Sequence, residues 1–530
     1  MKKIAVMALL TAMVGTLVFA EGTQGRPSAS GGPARIKVEV FDRGTDGGKT
    51  DPSNNQWTRW IQEKILKDEN IIVEFVKVNR WTETEALVNL FAAGTPPDLC
   101  YTYSAPNIQN WADQGGIFDL SPYLDTTLKD LKKFLGPDQA LPGKDMIARQ
   151  IDLSTGKIYF IPARRMNVAQ RNIWIRKDWL DKLGLPLPRT TQEFYDTLVA
   201  FRNQDPGGVG ANRVIPFTLN GDRVDWTAGN IMEAFINPRL DPKERWINTV
   251  AERSFTVEGY KEGVRFLNKM YNAGLVDRDF PLYKDENDYA NIIKTGRVGA
   301  FCIEWDYPYR EGVSLLADLQ RNIPGANLVP IDPIQSSDGV THKSSYDAAG
   351  VFYFIPSASQ NPDAAMRYLN WMAKYENYHF IQTGHEGISH TIGADGIIKL
   401  DPSAVRDPSW IMNSSQNIDY TMMMNGLFLE TENASVRALS SGYSWPSDLI
   451  FHAYQVAMTN ASPPLIVQTT SPLTVAGPLS ETLVAMGRVI YAQSITCPEN
   501  QFDSTYDSLL RNWLSSGGQA IINERRAKYR

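Results

Sequence analysis

Aromatic side chains outside the helical patterns are the residues whose types and neighbours suggest chemistry in this sequence. Several stand beside an aspartate, glutamate or arginine, and the set is Tyr101, Tyr103, Trp226, Trp305, Tyr307, Tyr309, Tyr443 and Trp445. An aromatic ring offers a flat apolar face to the C–H side of a sugar ring, and polar neighbours bind the hydroxyl groups. The set therefore predicts a surface for a neutral carbohydrate, with packing in the core or on the surface as the alternative for each residue.

The polar stretch from Arg43 to Thr50 follows a predicted strand, where a phosphate-binding loop would lie. A G-x-x-x-x-G-K-[ST] loop requires glycine at the position of Arg43, and Gly44 leaves the spacing one residue short. A calcium loop beginning at Asp42 would need an acidic side chain at its twelfth position, which is Ser53. We therefore interpret the stretch as a polar loop at the mouth of a cleft.

Motifs for hydrolysis are incomplete. His385 and His390 are five residues apart, so one helical face cannot present both to a metal as H-E-x-x-H does. Ser444 lacks the second glycine of a nucleophile elbow. A carboxylate pair for glycoside hydrolysis stays open, because the 59 acidic residues offer many pairs and single out none. The sequence predicts no metal and no cofactor.

The first 34 residues are predicted to precede the folded part of the chain. An apolar run from Ile4 to Phe19 follows two lysines, and it ends at a small-x-small cleavage pattern closed by Ala20. Residues 1–20 are therefore predicted to be a signal peptide, and residues 21–34 a flexible leader rich in Gly, Ser and Pro. No later stretch approaches about 20 apolar residues, so a membrane-embedded body is not expected. An uncleaved anchor is the alternative.

Size and composition indicate a globular protein of two or more domains. The chain has 530 residues, of which 43% are hydrophobic and 21% charged. Without Lys2 and Lys3 it has 51 basic and 59 acidic residues, a formal charge of −8, and no basic run interleaves with aromatic residues. Nucleic acid is therefore not an expected partner. Three scattered cysteines predict buried thiols at Cys100, Cys302 and Cys497, with a Cys100–Cys302 bridge as the alternative.

Strands and helices alternate at the start of the predicted folded region. The predicted elements are strand 36–41, helix 54–68, strand 71–78, a helix begun by a Thr82 and Glu85 capping box, and strand 99–103. This β-α-β-α-β order is typical of a parallel sheet, in which ligands bind beyond the carboxyl ends of the strands. The loops after Phe41 and Cys100 are therefore predicted to contact ligand.

The stretch from Thr155 to Phe201 is predicted to be a hinge between two lobes. Its predicted elements are a strand at 158–161 that Pro162 ends, a strand at 173–175, a helix that stops at Gly184, and a helix begun by a Thr190 and Glu193 capping box. Later strands are predicted at 214–219 and 351–355, and residues 296–305 are predicted as a turn, a strand and the start of a loop that bears Trp305 and Asp306. The other predicted elements are a loop at 222–227, a helix from Thr256, a helix capped by Asn361, and helical segments at 481–491 and 502–530, the last with a break at 517–518.

Seven segments in chain order carry a resemblance to a known family: FAAGTPPDL (91–99), GGIFDLSPYLD (115–125), GKIYFIPARR (156–165), WIRKDWLDKLGLPLPRTTQEFYDTLVAF (174–201), YKEGVRFLNKMYNAGLVDRD (260–279), GRVGAFCIEW (296–305) and NPDAAMRYLNWMA (361–373). The chain resembles the extracellular solute-binding proteins, family 1, of ABC importers, in their large lipoprotein-like subfamily. The resemblance implies an α/β periplasmic-binding-protein fold of type II, whose two hinge-linked lobes close on a ligand like a flytrap. It implies lobe one at 35–160 and 300–358, and lobe two at 165–297 and 359–530.

The resemblance also implies a set of cleft residues. Those that match the family's binding regions are Asp42, Tyr103, Arg164, Trp226, Trp305 and Asp306, with Trp445 as a weaker match. The aromatic members Tyr103, Trp226 and Trp305 would stack on sugar rings, while Asp42, Asp306 and Arg164 would bind hydroxyl groups. Arg164 and Arg165 also permit an acidic ligand. A salt bridge across the hinge is the alternative role for Arg164.

The expected function that the resemblance implies is capture of a carbohydrate, in particular an oligosaccharide, and its delivery to the transmembrane subunits of an ABC permease. No chemistry is expected. Because no cysteine that could carry a lipid lies near residue 21, a freely diffusing periplasmic form is expected. The protein is also expected to be a monomer. The alternatives are an exported glycoside hydrolase or lyase, and a sugar binder that feeds a membrane sensor.

Overall fold

The computed structural model describes residues 32–529, apart from 45–49, 138–144, 153, 166, 252, 311–312, 333, 401–406, 411–418, 428, 466 and 468–472. The predicted signal peptide, residues 1–20, and residues 21–31 of the predicted leader lie outside the described residues. Among the helices of the described part, none has the length and apolar character that crossing a membrane requires.

Two mixed sheets carry most of the strands. In chain order the strands are β1 (Ala34–Asp42), β2 (Ile71–Asn79), β3 (Cys100–Thr102), β4 (Phe160–Arg165), β5 (Arg171–Arg176), β6 (Ile215–Phe217), β7 (Val298–Glu304), β8 (Leu328–Ile331), β9 (Lys343–Ser344), β10 (Ala349–Phe354), β11 (Thr391–Ile392), β12 (Ile398–Lys399), β13 (Met424–Asn425) and β14 (Ala461–Ser462). The short pairs β11–β12 and β9–β14 stand apart from the two main sheets.

The first sheet has the strand order β13-β4-β10-β3, with β10 antiparallel to both of its neighbours. The parallel pair β1–β2 continues this sheet through a parallel bridge between Val38 and Leu99. The predicted β-α-β-α-β start is therefore confirmed. Because β1, β2 and β3 run in one direction, the residues that follow them meet at one edge.

The second sheet has the strand order β6-β7-β5-β8. Strand β5 lies between β7 and β8 and is antiparallel to both, while β6 is parallel to β7. All six residues of β5 are buried, and six of the seven residues of β7 are buried. Such strands need neighbours on both edges and cover on both faces, which places them at the centre of a sheet.

The helices cover both sheets. In chain order they are α1 (Gln56–Glu69), α2 (Glu83–Ala92), α3 (Ala105–Asp113), α4 (Lys129–Leu135), α5 (Lys177–Leu183), α6 (Thr191–Gln204), α7 (Val224–Thr227), α8 (Gly229–Glu233), α9 (Pro242–Asn248), α10 (Tyr260–Asn272), α11 (Glu286–Lys294), α12 (Leu315–Asn322), α13 (Pro362–Met372), α14 (Tyr375–Thr383), α15 (Glu432–Ser441), α16 (Ser447–Met458), α17 (Ala476–Thr496), α18 (Phe502–Trp513) and α19 (Gln519–Lys528). The predicted 222–227 loop thus contains a helical turn, and α10 begins at Tyr260 rather than at Thr256.

Separate hydrophobic cores lie against the two sheets. The core of the first sheet combines β1 and β2 with the buried face of α13, including Trp371, and with Met422 to Met424. The main core of the second sheet combines β5 with α6, α10 and the C-terminal helices, including Trp513. The molecule is therefore two-lobed, with one sheet and its core in each lobe.

Strand pairing divides the second half of the chain differently from the predicted lobe boundaries. Strand β7, which the prediction placed largely in lobe one with 300–358, pairs with β5 in the second sheet. Helix α13, which the prediction placed in lobe two with 359–530, packs in the core of the first sheet. The chain passes from sheet to sheet between β4 and β5, between β8 and β10, and again after β13.

The predicted end of β4 at Pro162 is wrong, because the strand continues to Arg165. Arg164 donates its backbone N–H to the carbonyl oxygen of Met423, the residue before β13. Because backbone groups two residues apart in a strand face the same edge, the nitrogen of Pro162 faces this edge as well. Strand β13 pairs only with Arg164 and Arg165, and the missing N–H of Pro162 therefore faces an unpaired edge.

The three cysteines are unbridged, so the alternative of a Cys100–Cys302 disulfide is wrong for this structure. Cys100 lies in β3 of the first sheet and Cys302 in β7 of the second. Both side chains are fully buried, as expected for thiols that serve as small apolar core residues.

Candidate functional site

The carboxyl ends of β1, β2 and β3 place Arg43, Arg80 and Tyr103 together at one edge of the first sheet. Arg43 donates from Nε and Nη2 to the two carboxylate oxygens of Asp419, both at 2.7 Å. Its Nη2 also lies 3.3 Å from the Tyr103 hydroxyl, which accepts a second hydrogen bond from Asn425 Nδ2 at 2.7 Å. The Tyr103 ring stacks on Phe41 at 6.1 Å. These contacts fix a polar aromatic surface at this edge.

Asp42 ends β1 beside this surface. It is partly exposed, accepts the backbone N–H of Gly44 at 3.0 Å and lies 4.0 Å from Lys77 Nζ. A carboxylate in this position can accept hydrogen bonds from hydroxyl groups, and contact between Asp42 and a ligand stays a prediction.

The corresponding edge of the second sheet is organised around Trp226, which lies in α7. Its indole N–H donates to Glu304 Oε1 at 3.1 Å. The Arg171 and Arg223 guanidinium carbons lie 4.4 and 4.9 Å from the centre of its ring. Arg171 can approach because residue 229 is glycine, where a Cβ atom would lie 3.0 Å from Arg171 Nη2.

Glu304 is the acidic group closest to this tryptophan in the hydrogen-bond network. Its Oε1 accepts from Trp226, whereas its Oε2 is shielded from water and accepts no hydrogen bond from the described residues. Burial and the neighbouring charge of Glu304 raise the pKa of Glu286, although Arg223 forms a 2.7 Å ion pair with Glu286. An acceptor oxygen without a donor is an incomplete site that a ligand hydroxyl would satisfy.

Arg165 and Tyr346 connect the two edges where the chain crosses between sheets. Arg165 donates from Nε to Asn425 Oδ1 at 3.1 Å, and its guanidinium carbon lies 4.4 Å from the Tyr346 ring centre. The Tyr346 ring lies 5.9 Å from Trp226 at an angle of 31°. Burial and the charge of Glu304 raise the pKa of Tyr346 to about 12, so its hydroxyl stays protonated. Trp226 of the second edge and Arg165 of the first sheet therefore both lie against the Tyr346 ring.

Asn425 reaches this crossing because Gly350 leaves space for it. A Cβ atom at position 350 would lie 2.5 Å from the Asn425 Cβ, closer than real Cβ contacts allow. Asn425 then bonds both Tyr103 and Arg165.

Arg164 occupies a different place from the predicted one. It is fully buried, its Nη2 lies 3.4 Å from the Phe134 carbonyl oxygen, and burial lowers its pKa to about 10. Because successive side chains of a strand point to opposite faces, Arg165 and not Arg164 faces the crossing between the sheets. This placement does not fit contact between Arg164 and a ligand.

Trp305 and Asp306 are also buried, with exposed fractions of 3% and 6%. Trp305 packs edge-on against Tyr454 at 5.5 Å. Asp306 pairs with Arg310 at 2.6 Å and accepts a hydrogen bond from the Tyr443 hydroxyl at 2.6 Å. Both residues serve the core behind the second edge, so their placement does not fit the predicted contact with ligand.

Trp445, the weaker prediction, is half-buried and lies 6.2 Å from Tyr309. It belongs to the same packed region as Trp305 and has no described contact with Trp226, Glu304 or Tyr346. The structure therefore joins Tyr103 and Trp226 through the crossing and leaves Trp445 apart from them.

Sequence reasoning missed several residues of this site. Arg80 and Trp81 directly follow β2, so the rule that selected Asp42 after β1 would also have selected them. Trp81 is 66% exposed, which is unusual for such a large apolar ring. Glu304 is the last residue of β7 and directly precedes Trp305, so the same rule would have selected it. Tyr346 and Asn425 carry no local signal, because they reach the site through long-range chain crossings.

The described residues contain no group of three or more histidine, cysteine, aspartate or glutamate side chains placed to hold a metal ion. The described arrangement thus consists of aromatic faces, guanidinium donors and a carboxylate acceptor.

Comparisons with known proteins give relatives for the chain. The sequence pattern of the family described as "Bacterial extracellular solute-binding protein" matches residues 52–378, more than half of the chain. The fructooligosaccharide ABC transporter substrate-binding protein FusA of Streptococcus pneumoniae serotype 4 is 29% identical over 230 residues, which cover 41% of this chain and 40% of FusA. The polygalacturonan/rhamnogalacturonan-binding protein YtcQ of Bacillus subtilis is 23% identical over 382 residues, covering 70% and 69% of the two chains.

The match to lipoprotein LipO of Bacillus subtilis covers 47% of that protein. The chain therefore matches less than half of the length of LipO and of FusA. Among solved structures, the alginate-binding protein AlgQ2 without calcium ion has a TM-score of 0.64 at 17% identity, covering 94% of this chain and 98% of that one. FusA in complex with kestose has a TM-score of 0.62 at 17% identity, covering 93% and 98%. These likenesses confirm the predicted two-lobed α/β fold. With its family match across most of both sheets, the chain belongs to the bacterial extracellular solute-binding proteins.

Proposed function

We propose that the protein binds an oligosaccharide between its two lobes and delivers it to the transmembrane subunits of an ABC importer. The observation that carries this proposal is the meeting of Trp226 and Tyr346, with Glu304 and Arg165 beside them, where the chain crosses between the sheets. Aromatic faces next to hydrogen-bonding groups fit the alternating apolar and hydroxyl surfaces of a sugar.

Lobe one in this proposal consists of the first sheet, β1 to β4 with β10 and β13, and lobe two of the second sheet, β5 to β8. A ligand that touches Tyr103 on one side and Trp226 on the other contacts both lobes only when they are close together. Its additional contacts in that state shift the population toward closure, and the permease then recognises the closed protein.

The relatives support the carbohydrate class. The printed names of FusA and YtcQ refer to fructooligosaccharide and to polygalacturonan or rhamnogalacturonan, which are all carbohydrates. Their sequences share only 29% and 23% identity with this chain over the matched segments, so the sugar itself is not transferred from them.

We also infer that the protein acts as a monomer in the periplasm after export and cleavage after Ala20. The family description as extracellular supports a place outside the cytoplasm. The protein would release the ligand unchanged, since capture requires no bond to be made or broken.

The test is calorimetry on the full chain after a thermal-shift screen of kestose, nystose and trimers of galacturonate and galactose. We expect at least one of these probes to bind, and Trp226→Ala to weaken its binding about tenfold or more, because an aromatic stacking surface and the Glu304 contact are both lost. Trp246→Ala is the matched control, because Trp246 also has an arginine over its ring, Arg525 at 4.8 Å, but lies on α9.

Equal losses in the two variants would contradict the assignment of the site. Binding of none of the sugars in a wider carbohydrate panel would contradict the proposed function. Chromatography of the bound sugar after incubation should recover it unchanged, and deletion of the gene should abolish uptake of that sugar. Unchanged uptake would point instead to a sensor as the receiver.

A further inference from the structure

Arg80 is a cationic side chain enclosed by aromatic rings at the carboxyl end of β2. Its guanidinium carbon lies 3.9 Å from the ring centre of Tyr103, 5.3 Å from that of Phe41 and 5.4 Å from that of Trp81. Its Nε is shielded from water and makes no hydrogen bond to the described residues. No carboxylate of the described part of the chain lies within ion-pair distance of it.

Arg80 makes no hydrogen bond or ion pair to the described residues, although its charge opposes the effect of burial on the pKa of Glu83. A guanidinium group has five N–H donors in a planar fork that matches a carboxylate in two parallel hydrogen bonds. Aromatic rings attract the cation but accept none of these N–H bonds in the plane of the fork. Glu83, the acid on the following helix, is buried and accepts the backbone N–H of Tyr103 at 3.1 Å.

The other arginine at this edge is already neutralised. Arg43 forms two 2.7 Å bonds to the carboxylate of Asp419. Of these two arginines, Arg80 is therefore the one that has no carboxylate partner among the described residues.

The second edge repeats this excess of positive charge. Arg223 and Arg310 are paired with Glu286 and Asp306. Arg165 and Arg171 donate only to carbonyl and amide oxygens among the described residues. Arg165 donates to the Asn425 side chain and the Asp347 carbonyl. Arg171 donates to the Asn230 side chain and to the carbonyls of Asp225 and Trp226. Three arginines, Arg80, Arg165 and Arg171, thus have no carboxylate partner among the described residues. Beside Trp226, Glu304 is the described acid that has an oxygen without a hydrogen bond.

We propose that the ligand carries carboxylate groups, as in an oligosaccharide of uronic acids, and that Arg80 holds one carboxylate while the exposed ring of Trp81 stacks on the sugar that bears it. This inference rests on the proposed function, since it specifies which oligosaccharides the same cleft takes. Trp81 lies next to Arg80 and donates its indole N–H to the Arg43 carbonyl at 3.3 Å, which fixes the position of its ring.

The experiment compares acidic sugars with neutral sugars of the same shape. The full chain is titrated in a calorimeter with trimers of galacturonate, mannuronate and guluronate, each beside its carboxyl-reduced counterpart. We expect at least one acidic trimer to bind about tenfold or more tightly than its reduced counterpart, with an affinity that falls as salt is raised.

The variants assign the effect to Arg80. Arg80→Met should weaken binding of the acidic trimer about tenfold or more, Arg80→Lys should weaken it less, and neither should change the affinity for the neutral counterpart by more than about threefold. Arg59→Met is the matched control, because Arg59 is exposed on α1 of the same lobe and should leave every affinity unchanged. The melting temperature of Arg80→Met should stay within a few degrees of that of the parent, which separates loss of a ligand contact from loss of fold.

The failures of the two proposals are distinguishable. If neutral sugars bind and every acidic trimer binds no better than its reduced form, the carboxylate inference is wrong and the proposed function stands. If acidic trimers bind equally to the parent and to Arg80→Met, the role of Arg80 is wrong. If no sugar of either kind binds, the proposed function itself fails.

Discussion

Arg164 and Arg165 are neighbours in β4, yet one is fully buried and the other faces the crossing between the sheets. Alternation along a strand accounts for this difference, because consecutive side chains point to opposite faces. The sequence predicts Arg164 as the arginine that faces the cleft, and the structure places Arg165 there instead. Because the strand was expected to end at Pro162, no register was available to assign a face to either residue.

Trp81 and Trp305 each follow the carboxyl end of a strand, yet their side chains differ in exposure. Trp81 follows β2 and is 66% exposed, while Trp305 follows β7 and is 3% exposed. Strand β7 lies inside its sheet, and the residues after it are covered by α16, which supplies Tyr454. Position after a strand therefore indicates nearness to a cleft, and the cover from distant helices decides exposure.

At the residue scale we expect Trp305→Ala to lower the free energy of unfolding by about 3–5 kcal/mol, the cost of removing a large buried aromatic side chain. Chemical denaturation followed by circular dichroism measures this change. Trp81→Ala is the comparison and should change stability by only about 0.5 kcal/mol or less, because its side chain is exposed. The prediction is wrong if Trp305→Ala unfolds at the same denaturant concentration as the parent.

Helix caps show what local signals predict well. Thr190 and Glu193 form the predicted capping box at the start of α6. Thr82 and Glu85 carry the same pattern at the start of α2, but the Thr82 side chain makes no capping hydrogen bond. A short 3₁₀ turn from Arg80 to Thr82 precedes α2 and leaves Thr82 outside the extended conformation that a cap needs.

Local sequence patterns therefore predict most of the helices and strands, but few of the pairings between strands. The elements β1, β2, α1 and α6 follow from periodicity, caps and stop signals. The antiparallel placement of β10 between β3 and β4 does not, because strand neighbours are chosen by long-range packing. The site depends on such long-range choices, which is why Tyr346 and Asn425 escaped prediction.

Helix α14 and the turn after it contain two histidines whose neutral form the fold favours. Burial lowers the pKa of His379 and of His390, and the nearby histidines lower these values further. The His390 ring contacts the Thr383 carbonyl oxygen at 2.7 Å through Nδ1. The unfolded chain takes up protons near the ordinary pKa of 6.5, before the folded chain does, so stability falls as pH falls below about 6.5.

At the element scale we expect the melting temperature to fall between pH 7 and pH 5, and His390→Asn to reduce that fall. An asparagine amide can still donate to the Thr383 carbonyl but takes up no proton. Differential scanning calorimetry at both pH values measures the effect, with His452→Asn, exposed on α16, as the control. An equal fall in the parent and in His390→Asn would show that this histidine does not couple folding to pH.

At the scale of the whole molecule, the cysteines are divided between the lobes. Cys100 lies in the first sheet, Cys302 in the second, and all three thiols are unbridged. Burial raises the pKa of the Cys302 thiol to about 12, which keeps it protonated and unreactive.

We therefore expect a thiol reagent to label Cys100 and Cys302 only after unfolding, and a reductant to leave the melting temperature unchanged. Thiol titration with and without denaturant, together with a thermal melt in dithiothreitol, measures both outcomes. Fewer than three reactive thiols in denaturant would reveal a disulfide and contradict the structure.

The repeated passage of the chain between the sheets has a consequence for how the protein folds. The first sheet takes its edge strand β13 from Met424 and Asn425, late in the 530-residue chain. Neither lobe is a continuous segment, so during synthesis the first lobe cannot finish its sheet until most of the second has also emerged from the ribosome. Contacts so distant in sequence slow folding. The proposed export would use this delay, because the chain would still be unfolded when it reaches the membrane.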